Sequence, residues 1–320
     1  MTTALRPMTI GEVLDRTFNL YRSNFQMFVA IGTVPAAMWF GANAFFVLMQ
    51  NFAPRSKGGF QSTALAVSAI TLVVAFGVYI CGTAISHGAV AYAVSAIHLG
   101  RSTGFAESYR RLRGKYFRIF NVVISVTIRI FGTGVLLFTL PFLLLLLPGF
   151  KGNEALAIAL VIIWIIVVIV GIWMMLRLTA KYSFSIPACV LEDLKTRLAL
   201  RRSAALARGS AGRILVVYIL FAVINGAFGF AVQLPFQIAI VAVKTQTSRV
   251  ILALGNVFSA SLIAAVVGPL AVIALTLLYY DERVRKEAFD LHFMMEMLDH
   301  PDSSPTTPPV PENAAGATSA

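Results

Sequence analysis

Residues 155–176 read ALAIALVIIWIIVVIVGIWMML. No side chain in that run is charged, and at about 1.5 Å per residue it forms a helix of about 33 Å. A bilayer core of about 30 Å requires about 20 apolar helical residues, so this run is long enough to cross one.

Five further runs of the same kind lie at residues 25–49, 64–97, 119–147, 214–243 and 250–280. The whole chain of 320 residues is 58% apolar and only 12% charged. Soluble domains have roughly 45–50% and 25%. These numbers predict an all-α integral membrane bundle with six transmembrane helices. The first run begins too late and runs too long for an ordinary signal peptide. The net charge of +12 would suit a nucleic-acid surface if it were evenly spread. It falls instead in blocks between apolar runs, which is the membrane pattern, and no nucleic-acid partner is expected.

The blocks also set an orientation. The N-terminus carries three Lys or Arg, the second loop six, the fourth eight and the region after the last span three. The alternate loops carry two, one and two. The positive-inside bias then puts both termini and both long basic loops in the cytoplasm. The other loops are short, so the spans are expected to pair as three hairpins, each entered through a short amphipathic cytoplasmic helix.

The second and third entries resemble each other. SYRRLRGKYFRIF from Ser108 and SAALARGSAGRIL from Ser203 share Ser, Arg-Gly and Arg-Ile at one offset, and LPF at 140–142 returns at 234–236. Several matches at nearly one spacing point to duplication, with TFNLYRSNFQMF from Thr17 a fainter third copy. Thr9 with Glu12 reads as a capping box, Thr103 and Thr196 as N-caps, and Gly114 and Gly209 as stops. A helix starting at Thr196 would bring Arg197, Arg201 and Arg208 within about 40° of one another. Leu198, Ala205 and Leu206 would face an apolar surface. Such a helix suits anionic headgroups, so Arg197, Arg201 and Arg208, with Arg111, Lys115 and Arg118 of the second entry, are candidate anionic-lipid contacts.

Pro35, Pro141, Pro235 and Pro269 fall inside spans and predict kinks whose freed carbonyls need other partners. After the last span, residues 281–299 show the spacing of an amphipathic helix, net acidic, expected to dock on the basic entry helices. Residues 300–320, rich in Pro and Ser, have nothing to bury and are expected to be disordered. The domain assignment is therefore 1–299 membrane domain and 300–320 tail.

Chemistry is sparse. No acidic residue lies inside a predicted span, which removes most schemes that need a buried carboxylate. Cys81 and Cys189 have no CxxC spacing, and the histidines show no metal-ligand spacing. No catalytic residue, metal or cofactor is expected. Arg129 and His87 are the candidate intramembrane polar groups. Arg129 reads either as an anion ligand or as a side chain snorkelling to the boundary, and His87 as a packing residue among small neighbours.

Three stretches carry a family resemblance: MTIGEVLDRTFNLYRSNF at 8–25, IPACVLEDLKTRLALRRS at 186–203 and LTLLYYDERVRKEAFDL at 275–291. Together they resemble bacterial integral membrane proteins related to the membrane domain of glycerophosphoryl diester phosphodiesterases, over most of residues 1–295. The resemblance implies a bacterial cytoplasmic (inner) membrane protein with accessory, scaffolding or lipid-interacting duty. The metal-dependent phosphodiesterase barrel of those relatives has no counterpart in this sequence. The expected partners are membrane lipids with anionic headgroups, and no protein partner is specified. A small transporter using the kinked third and fifth spans is the alternative, followed by a membrane enzyme of lipid or glycerophosphodiester metabolism.

Overall fold

In a computed structural model, residues 8–52, 60–98, 100–145 and 154–299 are described. The predicted tail at 300–320 lies outside them. Every regular element among the described residues is helical. In order they are α1 (Ile10–Ser23), α2 (Phe25–Phe52), α3 (Phe60–His98), α4 (Phe105–Arg111), α5 (Tyr116–Leu145), α6 (Glu154–Tyr182), α7 (Ser185–Leu191), α8 (Thr196–Leu206), α9 (Ala211–Ala242) and α10 (Gln246–Asp299). Six of them, α2, α3, α5, α6, α9 and α10, are long and apolar enough to cross a membrane. This is a multi-pass membrane protein.

The spans differ in position. The apolar core of α10 is 61% buried, against 6% for α6, so α10 is the central post and α6 an outer, lipid-facing helix. α10 packs along α2, α9 and α3, while α5 packs on α6. Ile162, Ile166, Ile169 and Trp173 of α6 face outward, as apolar side chains do in a solvent of acyl chains.

Proline positions are resolved by neighbours. Pro35 has no N–H for the carbonyl of Ile31, and that carbonyl accepts the hydroxyls of Ser86 at 3.1 Å and Tyr109 at 3.2 Å. Burial pushes the Tyr109 phenol up to about 12, so it remains a donor. Pro269 likewise frees the carbonyl of Ala265. Gly32 lies directly against that oxygen, and a β-carbon there would overlap it. Small residues are what allow membrane helices so close.

The repeat has a structural counterpart. Thr17, Ser108 and Ser203, the first hydroxyl of each copy, are all fully buried, as are Phe28, Ile119 and Ile214 eleven residues on. Gly114 and Gly209 adopt positive φ of 88° and 86°, a conformation open to glycine without strain.

Local expectations fare differently. Thr9 forms the capping box with Glu12. The cap of α4 is Gly104, and the buried Thr103 hydroxyl has no partner among the described residues. α8 is capped by Lys195, so Thr196 is its first residue. The buried face of α8 is Ala199, Leu200, Ser203 and Leu206, while Leu198 stays 51% exposed and Ala205 is exposed. The apolar flank thus differs from the predicted one because α8 lies on the bundle, where Ser203 anchors it. Residues 185–191 form the short buried helix α7, and the fourth candidate span, Val161–Leu191, runs on through it.

Candidate functional site

The polar end of the bundle is built around four carboxylates. Asp281 and Glu282, where α10 leaves its apolar stretch, are 0% and 3% exposed in their side chains. Arg213, at the start of α9, reaches both, at 2.7 Å and 2.6 Å. The same guanidinium donates to the carbonyl of Met8, and the Met8 N–H donates to Asp281. One arginine therefore ties the start of α1, the start of α9 and α10 together. Glu192 accepts from Arg202 and from the Tyr279 hydroxyl, and lies 3.6 Å from Arg283. Arg202 also bonds Glu287, and Lys286 donates to the carbonyls of Leu206 and Arg208. The expected docking of the segment after the last span on the basic helices occurs over 281–287, through Arg202 and Arg213.

Asp193, next to Glu192, serves the other side. With φ of 54° it turns its carboxylate to Lys115 at 2.6 Å and Arg118 at 2.9 Å. The Lys115 ammonium holds its carboxyl below the usual range, with Arg118 adding to the effect. Two of the candidate lipid contacts thus share one carboxylate, which offsets one of their two charges. Arg111 is exposed and pairs with Glu107 at 3.7 Å.

A second group of cations has no such partner. Arg129 of α5, Lys181 and Tyr182 of α6, and Arg197 and Arg201 of α8 line one open pocket of about 380 Å³. The Arg129 guanidinium lies 5.7 Å and the Lys181 ammonium 5.3 Å from the centre of the Tyr182 ring. Arg129 donates to the carbonyl of Ser125, one turn back towards the start of α5. The position of α8 is set by Ser203, whose hydroxyl donates to the carbonyl of Lys181 at 2.8 Å and accepts from the Phe184 N–H at 3.1 Å. No ion pair to a carboxylate involves these four cations among the described residues. Arg208 stands apart from them, in the turn after α8. Its stripe with Arg197 and Arg201 is broken because the helix stops at Leu206.

A third feature lies inside the bundle. A cavity of about 510 Å³ between α2, α3, α9 and α10 is lined by Pro35, Trp39, His87, Tyr218, Asn225 and Pro269, among others. It has no Asp, Glu, Lys or Arg in its lining. Two of the four proline kinks therefore meet at a cavity, in the first and last spans rather than the third and fifth. Pro235 is exposed, and the Pro141 side chain lies outside the described residues.

Sequence reading grouped Arg197 with Arg201 and Arg208, set Arg129 apart, and missed that Arg129 converges with the first two. It missed Lys181 and Tyr182 altogether, although "AKYS" directly after the fourth apolar run was the available signal. Asn225 and Tyr218 carried no signal beyond being polar groups in an apolar run. Among the described residues no cluster of three or more His, Cys, Asp or Glu is placed to hold a metal ion.

Comparison with known families gives one match. Residues 159–297 match the membrane domain of glycerophosphoryl diester phosphodiesterase. The stretches at 186–203 and 275–291 fall inside that segment, whereas the N-terminal stretch at 8–25 lies outside it. No curated protein and no solved structure matched the chain.

Proposed function

Starting from residues 159–297 as a match to a phosphodiesterase membrane domain, we propose that the chain is a non-enzymatic protein of the cytoplasmic membrane. Its role is accessory or scaffolding, and its basic end, with both termini, faces the cytoplasm against anionic lipid. The observation that carries this is the mixed surface at that end. Arg111, Arg197, Arg201 and Arg208 are exposed there beside the exposed apolar side chains Phe105, Phe117 and Leu198. Guanidinium groups meeting headgroups while rings and aliphatic chains enter the acyl boundary is the chemistry of an interfacial surface.

The test is the lipid retained by the purified chain. Arg197, Arg201 and Arg208 changed together to Gln should lower the ratio of anionic to zwitterionic lipid measured by mass spectrometry. An unchanged ratio rejects the role of this surface. Reporter fusions at residues 57, 151 and 244 should report the outer side, and a cytoplasmic signal at any of them overturns the orientation.

A small permease is the second reading, favoured by the internal cavity. His87 and the exposed Asn225 line it, and polar groups facing hydrocarbon are costly unless water or a solute meets them. In a chain with Cys81 and Cys189 changed to Ser, Asn225→Cys should react with an impermeant thiol reagent from both sides if solute passes there. Protection from both sides removes the reading.

A further inference from the structure

We propose that the pocket formed by Arg129, Lys181, Arg197 and Arg201 is a discrete, saturable site for a phosphate-bearing anion carrying more than one negative charge. The inference rests on the basic end meeting anionic lipid, and narrows that contact to one place and one ligand chemistry.

Three separate elements deliver the cations. The tie from Ser203 to Lys181 and Phe184 fixes α8 against the end of α6, and Tyr182 stands between Arg129 and Lys181 with both charges over its ring. Gathering four like charges around one opening is electrostatically unfavourable unless an anion offsets them. Elsewhere at this end carboxylates meet several of the cations, as for Lys115 and Arg118, which share Asp193, and for Arg213 with Asp281 and Glu282. Among the described residues none does so here.

The donor set defines the ligand. Three guanidinium forks recognise tetrahedral oxygens two at a time, and an ammonium adds a point charge. That arrangement suits a phosphate ester better than a single carboxylate. The surroundings of Arg129 point to the source. Ile128 and Phe131, its neighbours on α5, are exposed apolar side chains, so the pocket opens beside the lipid-facing surface. A phosphate held there can belong to a lipid headgroup with its chains along α5, or to a soluble phosphate compound entering from the aqueous side.

The experiment uses the full chain in neutral detergent. Binding of phosphatidate, phosphatidylglycerol and phosphatidylcholine is titrated by native mass spectrometry, and inorganic phosphate is titrated by thermal shift. One phosphatidate per chain should be retained, phosphatidylglycerol more weakly and phosphatidylcholine not at all. Arg129→Gln and Lys181→Gln should each weaken phosphatidate binding about tenfold or more, about 1.4 kcal/mol. Arg22→Gln, at an exposed arginine of α1, should leave it unchanged, and Lys181→Arg should restore most of it. Saturable stabilisation by inorganic phosphate without lipid retention assigns the site to a soluble ligand, and lipid retention alone assigns it to a headgroup. Each variant is melted in the same detergent. If one is unfolded, Arg129→Lys or Lys181→Arg replaces it, compared with wild type for a changed preference between phosphatidate and phosphatidylglycerol. Wild-type binding in folded Arg129→Gln and Lys181→Gln, or an equal loss in Arg22→Gln, overturns the discrete site while leaving the surface reading standing. No preference for anionic lipid in the wild type defeats both.

Discussion

The hydroxyl of Tyr109 donates to the carbonyl of Ile31, 3.2 Å away and 78 residues earlier. That carbonyl is available because Pro35, four residues on, has no N–H to offer it. The break in hydrogen bonding at Pro35 of α2 and the short helix α4 are therefore one construction. Tyr109→Phe should cost about 1 kcal/mol, read as a lower melting temperature in detergent. In a Pro35→Ala background the helix satisfies the carbonyl itself, and the Tyr109→Phe cost should shrink. Equal costs in both backgrounds would show that the hydroxyl acts elsewhere.

Arg213 should be the least replaceable cation at the polar end. Arg213→Ala removes the partner that buried Asp281 and Glu282 share, leaving Asp281 to Arg285 and Glu282 to Lys286, and the loss of charged hydrogen bonds should cost about 2–3 kcal/mol. Arg208→Ala removes an exposed arginine without a carboxylate partner among the described residues and should change stability little. A melting comparison of the two variants checks this, and equal shifts would contradict the arrangement.

Glycines separate two kinds of strain. At Gly209 an added β-carbon meets nothing within 4 Å, so Gly209→Ala costs only its left-handed backbone, about 1–2 kcal/mol. At Gly32 the backbone is ordinary but the β-carbon would strike the Ala265 carbonyl and Pro269, forcing α2 from α10. Gly32→Ala should be the more damaging of the two in expression and melting temperature.

Asp193 should give stability a small acid limb. Its carboxyl is held below 3.8 by Lys115, so its contribution is complete above that ordinary value. It is lost as pH falls below 3.8 through the lower folded value. The melting difference between wild type and Asp193→Asn should therefore be constant at neutral pH and vanish in strong acid. A difference that grew on acidification would reverse the assignment.

The spans were legible because apolar length is a one-dimensional property, and 155–176 states it without any contact information. The capping box at Thr9 was legible for the same local reason. The pairing of Asp193 with Lys115 and Arg118 was not, because a charge count treats every loop cation as free, while a carboxylate 75 residues from Arg118 in sequence pairs with two of them in space. The cation pocket was half visible. Arg129 stood out as a charge in an apolar run, but only the seating of Ser203 brings Arg197 and Arg201 beside it, and a buried serine looks like any other serine in sequence.

α10 runs unbroken from Gln246 to Asp299, about 80 Å at 1.5 Å per residue. From Leu270 to Glu282 it is largely buried in the bundle, and Arg213 and Arg202 hold Asp281, Glu282 and Glu287. About 18 Å of helix therefore extends past the last anchored residue, a projecting arm whose direction the bundle and those two arginines set.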